Sequence, residues 1–459
     1  MRSLECLYPP VLNASRILIQ YKTGGVFIMK LFGTMATNET NQLEVGGCNV
    51  FQLAEKFDTP LYVVDVQHVK DNCNLFSQAF KKPGIDTEVI YASKAFLNMA
   101  MCRLIQDAGL SLDVVSGGEL FTAIKAGFPA DRIYMHGNNK TTEELLMALD
   151  YGIKRIVVDN EHELELLSYL CDQLGKSIDI LLRVNPGIEA HTHEYIQTSK
   201  NDSKFGISIY HETICDLIHK IEADPNVHLQ GFHCHIGSQI FEDSSFFSAV
   251  SVMLGFVERV QKECDFTTAE LNLGGGFGVY YSGGDDPFDL NECLQQMLNI
   301  FQEEIKTRGL TMPKLLIEPG RAIIANAGTT LYRVGGIKRT YGGKNFIFVD
   351  GGMTDNPRTA LYDSKYEAMI SSKSPLNEKE NFTIAGKCCE SGDILIKEIP
   401  LPTPQVDDLL TISCTGAYNY SMSSNYNRNR RPAVVFVEEG VAKLAVKRET
   451  FDDLIRNDI

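Results

Sequence analysis

Eight times between residues 88 and 321 a short apolar run ends in polar or glycine residues and gives way to a stretch with helical spacing. The runs are "EVIYASK", "LDVVSGG", "RIYMHGN", "RIVVDN", "IDILLRVNPG", "LQGFHCHIGS", "AELNLGGG" and "KLLIEPGR". Between them, Leu120 to Ala126, Thr142 to Leu149 and Glu161 to Leu170 carry apolar residues at helical period. Parallel strands need a long crossover between neighbours, and a helix is the usual one. Eight such units in a row predict a (β/α)₈ barrel over residues 66–328; an open doubly wound sheet is the alternative that closure disfavours.

In such a barrel the chemistry gathers at the carboxyl ends of the strands. Those ends carry Lys94, Asp113 and Ser116, His136 and Asn138, Asp159, Arg183 and Asn185. The later strands add His233, His235 and Ser238, then Gly274 to Gly276, then Glu318, Gly320 and Arg321. A barrel that only held a shape would have no need of this polar ring. After Arg321 the pattern changes to strands and turns without long helices, which predicts an all-β domain over residues 329–459. The "TPLYVVD" run at 59–65 precedes the barrel and is expected to pair with that domain, so residues 46–65 are assigned to it.

The balance of 43 basic against 59 acidic residues, a net charge of −16, argues against a nucleic-acid or acidic-membrane surface. Twelve cysteines without a C-x-x-C pair read as reduced thiols in a cytoplasmic protein. Residues 1–45 are mildly basic, and Arg16, Lys22 and Lys30 break their apolar runs short of a membrane span. They are expected to be a disordered extension, or sequence upstream of the true start.

A lysine at a barrel mouth can form a covalent bond to a carbonyl cofactor, and a glycine triplet lets backbone N–H groups approach a phosphate. A carboxylate such as Glu318 can pair with a pyridine nitrogen. Together these suggest pyridoxal 5'-phosphate, with the glycine triplet and "EPGR" after strands 7 and 8, where phosphate-binding barrels place such loops. His233 and His235 share one strand face, and His191 and His193 repeat the spacing, which invites zinc. No nearby cysteine or carboxylate completes a tetrahedral set, so no metal is expected.

The segments "YASKAF", "LDVVSGGEL", "GNNKT", "HCHIGSQI", "LNLGGGFG", "EPGRAIIANAG", "CESGDIL" and "GAYNYSMSSNYN" resemble the diaminopimelate decarboxylases in order and spacing, over roughly residues 45–455. These belong to the alanine-racemase-like, fold-type III family of pyridoxal phosphate enzymes. The resemblance implies that Lys94 carries the cofactor covalently, that Gly274, Gly275, Gly276, Glu318, Pro319, Gly320 and Arg321 hold it, and that His235 stacks on its ring. Asp113 and Ser238 are further expected contacts, and Tyr418 reaches both phosphate and substrate.

The resemblance also implies removal of CO₂ from meso-2,6-diaminopimelate to give L-lysine, the last step of lysine biosynthesis. Diaminopimelate ends in a second amino-acid group, so its site needs a cation and an anion. Arg321, Arg358, Tyr362 and Tyr418 are expected around the carboxylate and Glu390 at the ammonium. Thr359 stands where the family commonly has proline, which is expected to loosen the loop while leaving the guanidinium in place. Cys389 matches the family's cysteine, expected to return a proton after CO₂ leaves and to act in a neighbouring subunit's site, making a homodimer with shared active sites. No role follows for Cys388. The competing readings are a decarboxylase of ornithine, arginine or carboxynorspermidine, against which Arg358 and Glu390 argue, and an inactive regulatory relative, against which Lys94 and Cys389 argue. An amino-acid racemase shares the barrel but would lack the "CESGD" segment.

Overall fold

The computed structural model describes residues 29–188, 203–374 and 376–459, and its first ordered element corrects the expectation for the amino-terminal extension. Strands β1 (Ala36–Thr37), β2 (Leu43–Val45) and β3 (Cys48–Asn49) form a small antiparallel sheet. In β2, Leu43 and Val45 are buried on either side of the less buried Glu44, the alternation of a half-buried strand. They pack with Met29, Met35 and Val50 against the second domain. The Thr34 hydroxyl and backbone N–H both donate to Asp65 Oδ2, at 2.7 and 2.8 Å. Residues 29–45 are therefore structured; residues 1–28 lie outside the described residues.

Strand β4 (Leu61–Asp65) leads into the barrel. The barrel strands are β5 (Thr87–Ala92), β6 (Ser111–Val114), β7 (Ile133–Met135), β8 (Arg155–Val158) and β9 (Ile178–Asn185). After a two-residue strand β10 (Ile207–Ser208) come β11 (Val227–His233), β12 (Glu270–Asn272) and β13 (Lys314–Ile317). The eight barrel strands pair in parallel in the order β9-β11-β12-β13-β5-β6-β7-β8, and β8 pairs with β9 to close the ring. β10 pairs in parallel with the carboxyl end of β9 at Val184 and Asn185. Most of the described helices between barrel strands begin at side-chain caps, as at Thr141, whose hydroxyl and Glu144 form a reciprocal capping box, though helices Ile214–Glu222 and Ser244–Cys264 do not.

Inside the barrel, Ile90, Tyr134, Val157, Leu181 and Leu316 form one buried apolar layer. On its amino-terminal side lie charged groups paired with one another. Glu88 Oε2 accepts from Lys154 and Lys314 at 2.7 and 2.8 Å, and the Ser111 hydroxyl donates to Oε1. Arg155 bridges Asp179 and Glu270 at 2.9 and 2.8 Å. The polar strand tips lie on the other side of the layer.

The remaining strands are β14 (Gly328–Arg339), β15 (Asn345–Val349), β16 (Ala368–Ile370), β17 (Lys379–Ala385), β18 (Ile394–Pro402), β19 (Leu409–Ile412), β20 (Ala433–Glu438) and β21 (Val441–Val446). They form an all-β sheet in which β4 lies between β14, antiparallel, and β20, parallel. The chain thus contributes a strand to the second domain before it makes the barrel.

One cysteine expectation fails. Cys215 and Cys264 are joined as a disulfide between helices Ile214–Glu222 and Ser244–Cys264, their Cα atoms 5.5 Å apart. Helix packing brings them together across 49 residues, which no sequence spacing reveals. The other described cysteines are free thiols. No described helix is long and apolar enough to cross a membrane.

Burial alone would raise the Glu88 carboxyl, but Lys154, Lys314 and Ser111 outweigh it and hold it down at about 2. Its stabilising contribution is full above its ordinary value of 4.5 and is lost as pH falls toward 2. Glu88→Gln is expected to destabilise by about 1–3 kcal/mol, the lysines being partly exposed. Chemical unfolding at pH 7 and pH 3 checks this, with the gap between wild type and variant narrowing at the lower pH.

Candidate functional site

A cavity of about 430 Å³ opens at the carboxyl ends of the barrel strands. Lys94 reaches it from a single 3₁₀ turn, Ser93–Ala95, that ends β5. The turn is fixed on both sides. Ser93 Oγ donates to Glu119 Oε2 at 2.7 Å, and the Ala92 N–H donates to the Pro319 carbonyl. From the second domain, the Tyr418 N–H and the Ser421 hydroxyl both donate to the Ala95 carbonyl. The lysine therefore stands where barrel and second domain meet.

Glu318, at the tip of β13, is buried and holds three donors from three other strands. His136 Nε2 and Asn272 Nδ2 reach Oε1 at 2.8 Å each, and His233 Nε2 reaches Oε2 at 3.0 Å. Burial would raise this carboxyl; His136 and His233 outweigh it and hold it well below the ordinary carboxylate range. His233 itself is driven down to about 4 by burial. A neutral imidazole that donates from Nε2 satisfies both observations. The donor atoms of His136, His233 and Glu318 lie within 4.8 Å, close enough for a metal set, but their separations are those of the hydrogen bonds just described.

His235 does not converge with His233. Its Nδ1 accepts the Gly275 N–H at 3.3 Å, and burial, with Lys94 and Arg183 nearby, drives its titration well down. It faces the cavity as a neutral ring. His191 and His193, the other pair with this spacing, lie outside the described residues. Asp113 is buried at the tip of β6, its Oδ1 without a partner among the described residues. Burial raises its carboxyl to about 7, with His136 and Lys94 pulling the other way.

A narrower recess beside the cavity is lined by Ser238, Gly275, Gly276, Pro319, Gly320 and Arg321, with Lys94 and Tyr418 at its edge. Gly274 and Gly276 take φ of +68° and +112°. A Cβ on Gly275 would stand 2.1 Å from the Glu318 carbonyl oxygen, and one on Gly276 2.3 Å from that of Gly237. Backbone packs here where a side chain cannot. Arg321 donates to Tyr281 Oη at 2.7 Å and Ser238 Oγ at 2.8 Å, and its buried Nε has no partner among the described residues. The glycine cradle, the orphaned Asp113 oxygen and the neutral ring of His235 suit a flat anionic cofactor.

Arg358 is buried at the cavity wall, its guanidinium 5.3 Å from the Tyr418 ring and 5.1 Å from that of Tyr362. Thr359 does not loosen its loop. Its hydroxyl makes contacts that proline cannot, to the Leu395 and Ser364 carbonyls at 2.7 and 3.0 Å. Cys389 and Glu390 line neither cavity nor recess. Both are exposed on a loop that Asp393 folds by accepting the Met353 and Cys388 N–H groups at 2.6 and 2.7 Å. Cys388 is buried, and burial raises its thiol to about 11.

Several cavity groups were visible as strand tips without being assigned to the site: His136, Asn138 and Arg183. Asn272 was hidden inside an apolar strand, and Phe205, over which Arg183 stacks at 4.4 Å, lies in a loop with no sequence signal.

Residues 66–325 match the family described as "Pyridoxal-dependent decarboxylase, pyridoxal binding domain". The diaminopimelate decarboxylase of Bacillus subtilis is 48% identical over 94% of this chain and 98% of its own length. That of Staphylococcus aureus is 42% identical over 93% and 99%. Among solved structures, a diaminopimelate decarboxylase from M. jannaschii in complex with L-lysine superposes with a TM-score of 0.87 at 34% identity, covering 93% of this chain and 98% of that one.

Gly275→Ala forces a methyl group against the Glu318 carbonyl and is expected to lower stability by about 1–3 kcal/mol, even with no cofactor bound. Thermal unfolding of cofactor-stripped protein checks it.

Proposed function

The chain belongs to the diaminopimelate decarboxylase family of pyridoxal-dependent decarboxylases, and from this premise we infer how its own residues perform the reaction. It removes CO₂ from meso-2,6-diaminopimelate and leaves L-lysine. The observation that supports this substrate best is Arg358, a buried guanidinium facing the cavity between two tyrosine rings, with an Nε unpartnered among the described residues. A substrate whose far end carries a carboxylate would supply the missing partner. Ornithine and arginine bring no such group.

Pyridoxal 5'-phosphate, when bound, supplies an electron sink for the pair left behind as CO₂ departs. Lys94 would carry it through its amine. Glu318, kept ionised by its two histidines, would face the ring nitrogen and hold a proton there. His235 would lie against the ring, with Asp113 beside it. Gly274 to Gly276, Ser238 and the run from Pro319 to Arg321 would receive the phosphate, with Tyr418 at the edge. Arg358 and Tyr362, with Arg321 and Tyr418, would orient the substrate's carboxylates.

A proton must then return to the carbon that lost CO₂. Cys389 is a thiol suited to deliver it, and Glu390 to hold the distal ammonium, yet both are exposed and neither lines this chain's cavity. We therefore propose a homodimer in which each subunit's Cys389–Glu390 loop completes the other's site, a reciprocal exchange under two-fold symmetry. We propose a cytoplasmic setting on the nine free cysteines among the described residues, to which the Cys215–Cys264 bond is the exception.

Purified protein is expected to release CO₂ and L-lysine from meso-diaminopimelate. Arg358→Ala should raise KM strongly, with a loss of about 2–5 kcal/mol in kcat/KM for leaving the carboxylate unpaired. Unchanged KM would remove Arg358 from the site. For the dimer, Lys94→Ala and Cys389→Ala are each expected to be nearly inactive. Mixing them under confirmed subunit exchange should restore up to about a quarter of wild-type activity, since half the dimers are mixed and each has one intact site. No recovery would mean that Cys389 serves its own subunit or no subunit.

A further inference from the structure

The "GNNKT" segment contains a lysine, Lys140, to which the reaction as derived gives no part. Its side chain is almost wholly buried, and its ammonium donates three hydrogen bonds. The acceptors are the Gly137 carbonyl at 2.8 Å, the Val157 carbonyl at 2.7 Å and Glu163 Oε1 at 2.6 Å. All three protons of the ammonium are used. Each acceptor belongs to a different element: the loop after β7, the end of β8, and helix Glu161–Leu174.

The first of these acceptors is one residue from His136, and Asn138 follows directly. His136 is one of the two groups that reach Glu318 Oε1, and Asn138 lines the cavity. The same loop is tied down a second time where Asn160 Nδ2 donates to the Asn138 carbonyl at 3.2 Å. Gly137 takes φ of +128°, and a Cβ there would contact Lys140 Cγ at 3.4 Å, so the lysine stem fills the inside of the bend. Beyond Glu163 the chain of contacts continues. Glu163 Oε2 accepts the Asp159 N–H at 3.2 Å, and Asp159 Oδ1 faces Arg183 Nε at 3.8 Å on the cavity wall.

We propose that Lys140 is a positioning residue for the decarboxylation, fastening the loop after β7 to β8 so that His136 stays on Glu318. It touches neither cofactor nor substrate and acts through His136. A buried ammonium placed only to stabilise the fold would not need to end beside the one loop that carries a Glu318 donor. The proposal rests on the functional reading above only where turnover is measured.

The test is a double-mutant cycle between Lys140→Met and His136→Leu on the cofactor-loaded enzyme. Lys140→Met is expected to lower kcat by about 10- to 100-fold with KM changed less than about threefold. Its visible circular dichroism, reporting the bound cofactor, should move to that of His136→Leu while the far-ultraviolet spectrum stays the same. In the His136→Leu background, Lys140→Met should cost nothing further, since the group it holds is gone. Losses that multiply, or a Lys140→Met enzyme with wild-type kcat and spectrum, would overturn the assignment. Should Lys140→Met fail to fold, Glu163→Gln keeps the shape of the lysine's partner and removes its charge. Its smaller effect, about 3- to 10-fold, should likewise vanish without His136 and overturns the proposal if it does not. If the wild-type protein releases no CO₂ from diaminopimelate, the functional reading falls, while the spectral comparison still decides the place of Lys140.

Discussion

Glu318 is a carboxylate taken out of water and kept charged, which is tolerable only if donors replace the water it has lost. His136, His233 and Asn272 provide them from β7, β11 and β12, onto a side chain at the tip of β13. β7 is three strands from β13 around the ring, so the carboxylate is satisfied only when the barrel has closed. Neighbouring groups are organised around the same point. The N–H of Glu318 donates to the Gly274 carbonyl, and its own carbonyl is the surface against which Gly275 packs.

The second domain completes this site. Strand β4 is laid down in its sheet before the barrel begins, and the loop after β19 returns to bond Ala95 beside Lys94. Tyr418 sits on that loop, between Arg321 and Arg358 at 4.8 and 5.3 Å. The half of the cavity around Lys94 and Glu318 thus comes from strand tips and the half around Arg358 and Tyr418 from the inter-domain seam. A rigid scaffold carries the first, and loops that can vary carry the second.

Much of this was legible in the chain, because strand period and polar tips are local signals. Lys94, Asp113, His235, Ser238 and Glu318 could be placed at one end of a barrel without knowing the register. What escaped was long-range. That His136 binds Glu318 depends on how the ring closes across 182 residues. The Cys215–Cys264 bond depends on how two helices pack. The amino-terminal sheet was hidden because its strands are two or three residues long and bury their apolar residues against a sheet formed hundreds of residues later. Thr359 read as a loss relative to proline because the nearer of its two bonds, to the Leu395 carbonyl, reaches a strand 36 residues further along the chain.

The barrel has charge at both mouths, and the buried layer of Ile90, Tyr134, Val157, Leu181 and Leu316 lies between them. It acts as an insulating septum. The ion pairs of Glu88 and Arg155 on one side tighten the staves, and the carboxylates and imidazoles of the proposed site lie on the other. Apart from the Tyr134 hydroxyl, which faces the charges of Glu88 and Glu270 below, the layer is apolar and keeps the two sets of charges apart. The lower mouth can therefore gain or lose salt bridges, as a change of habitat temperature or salinity would demand, without retuning the acid–base balance of the upper one.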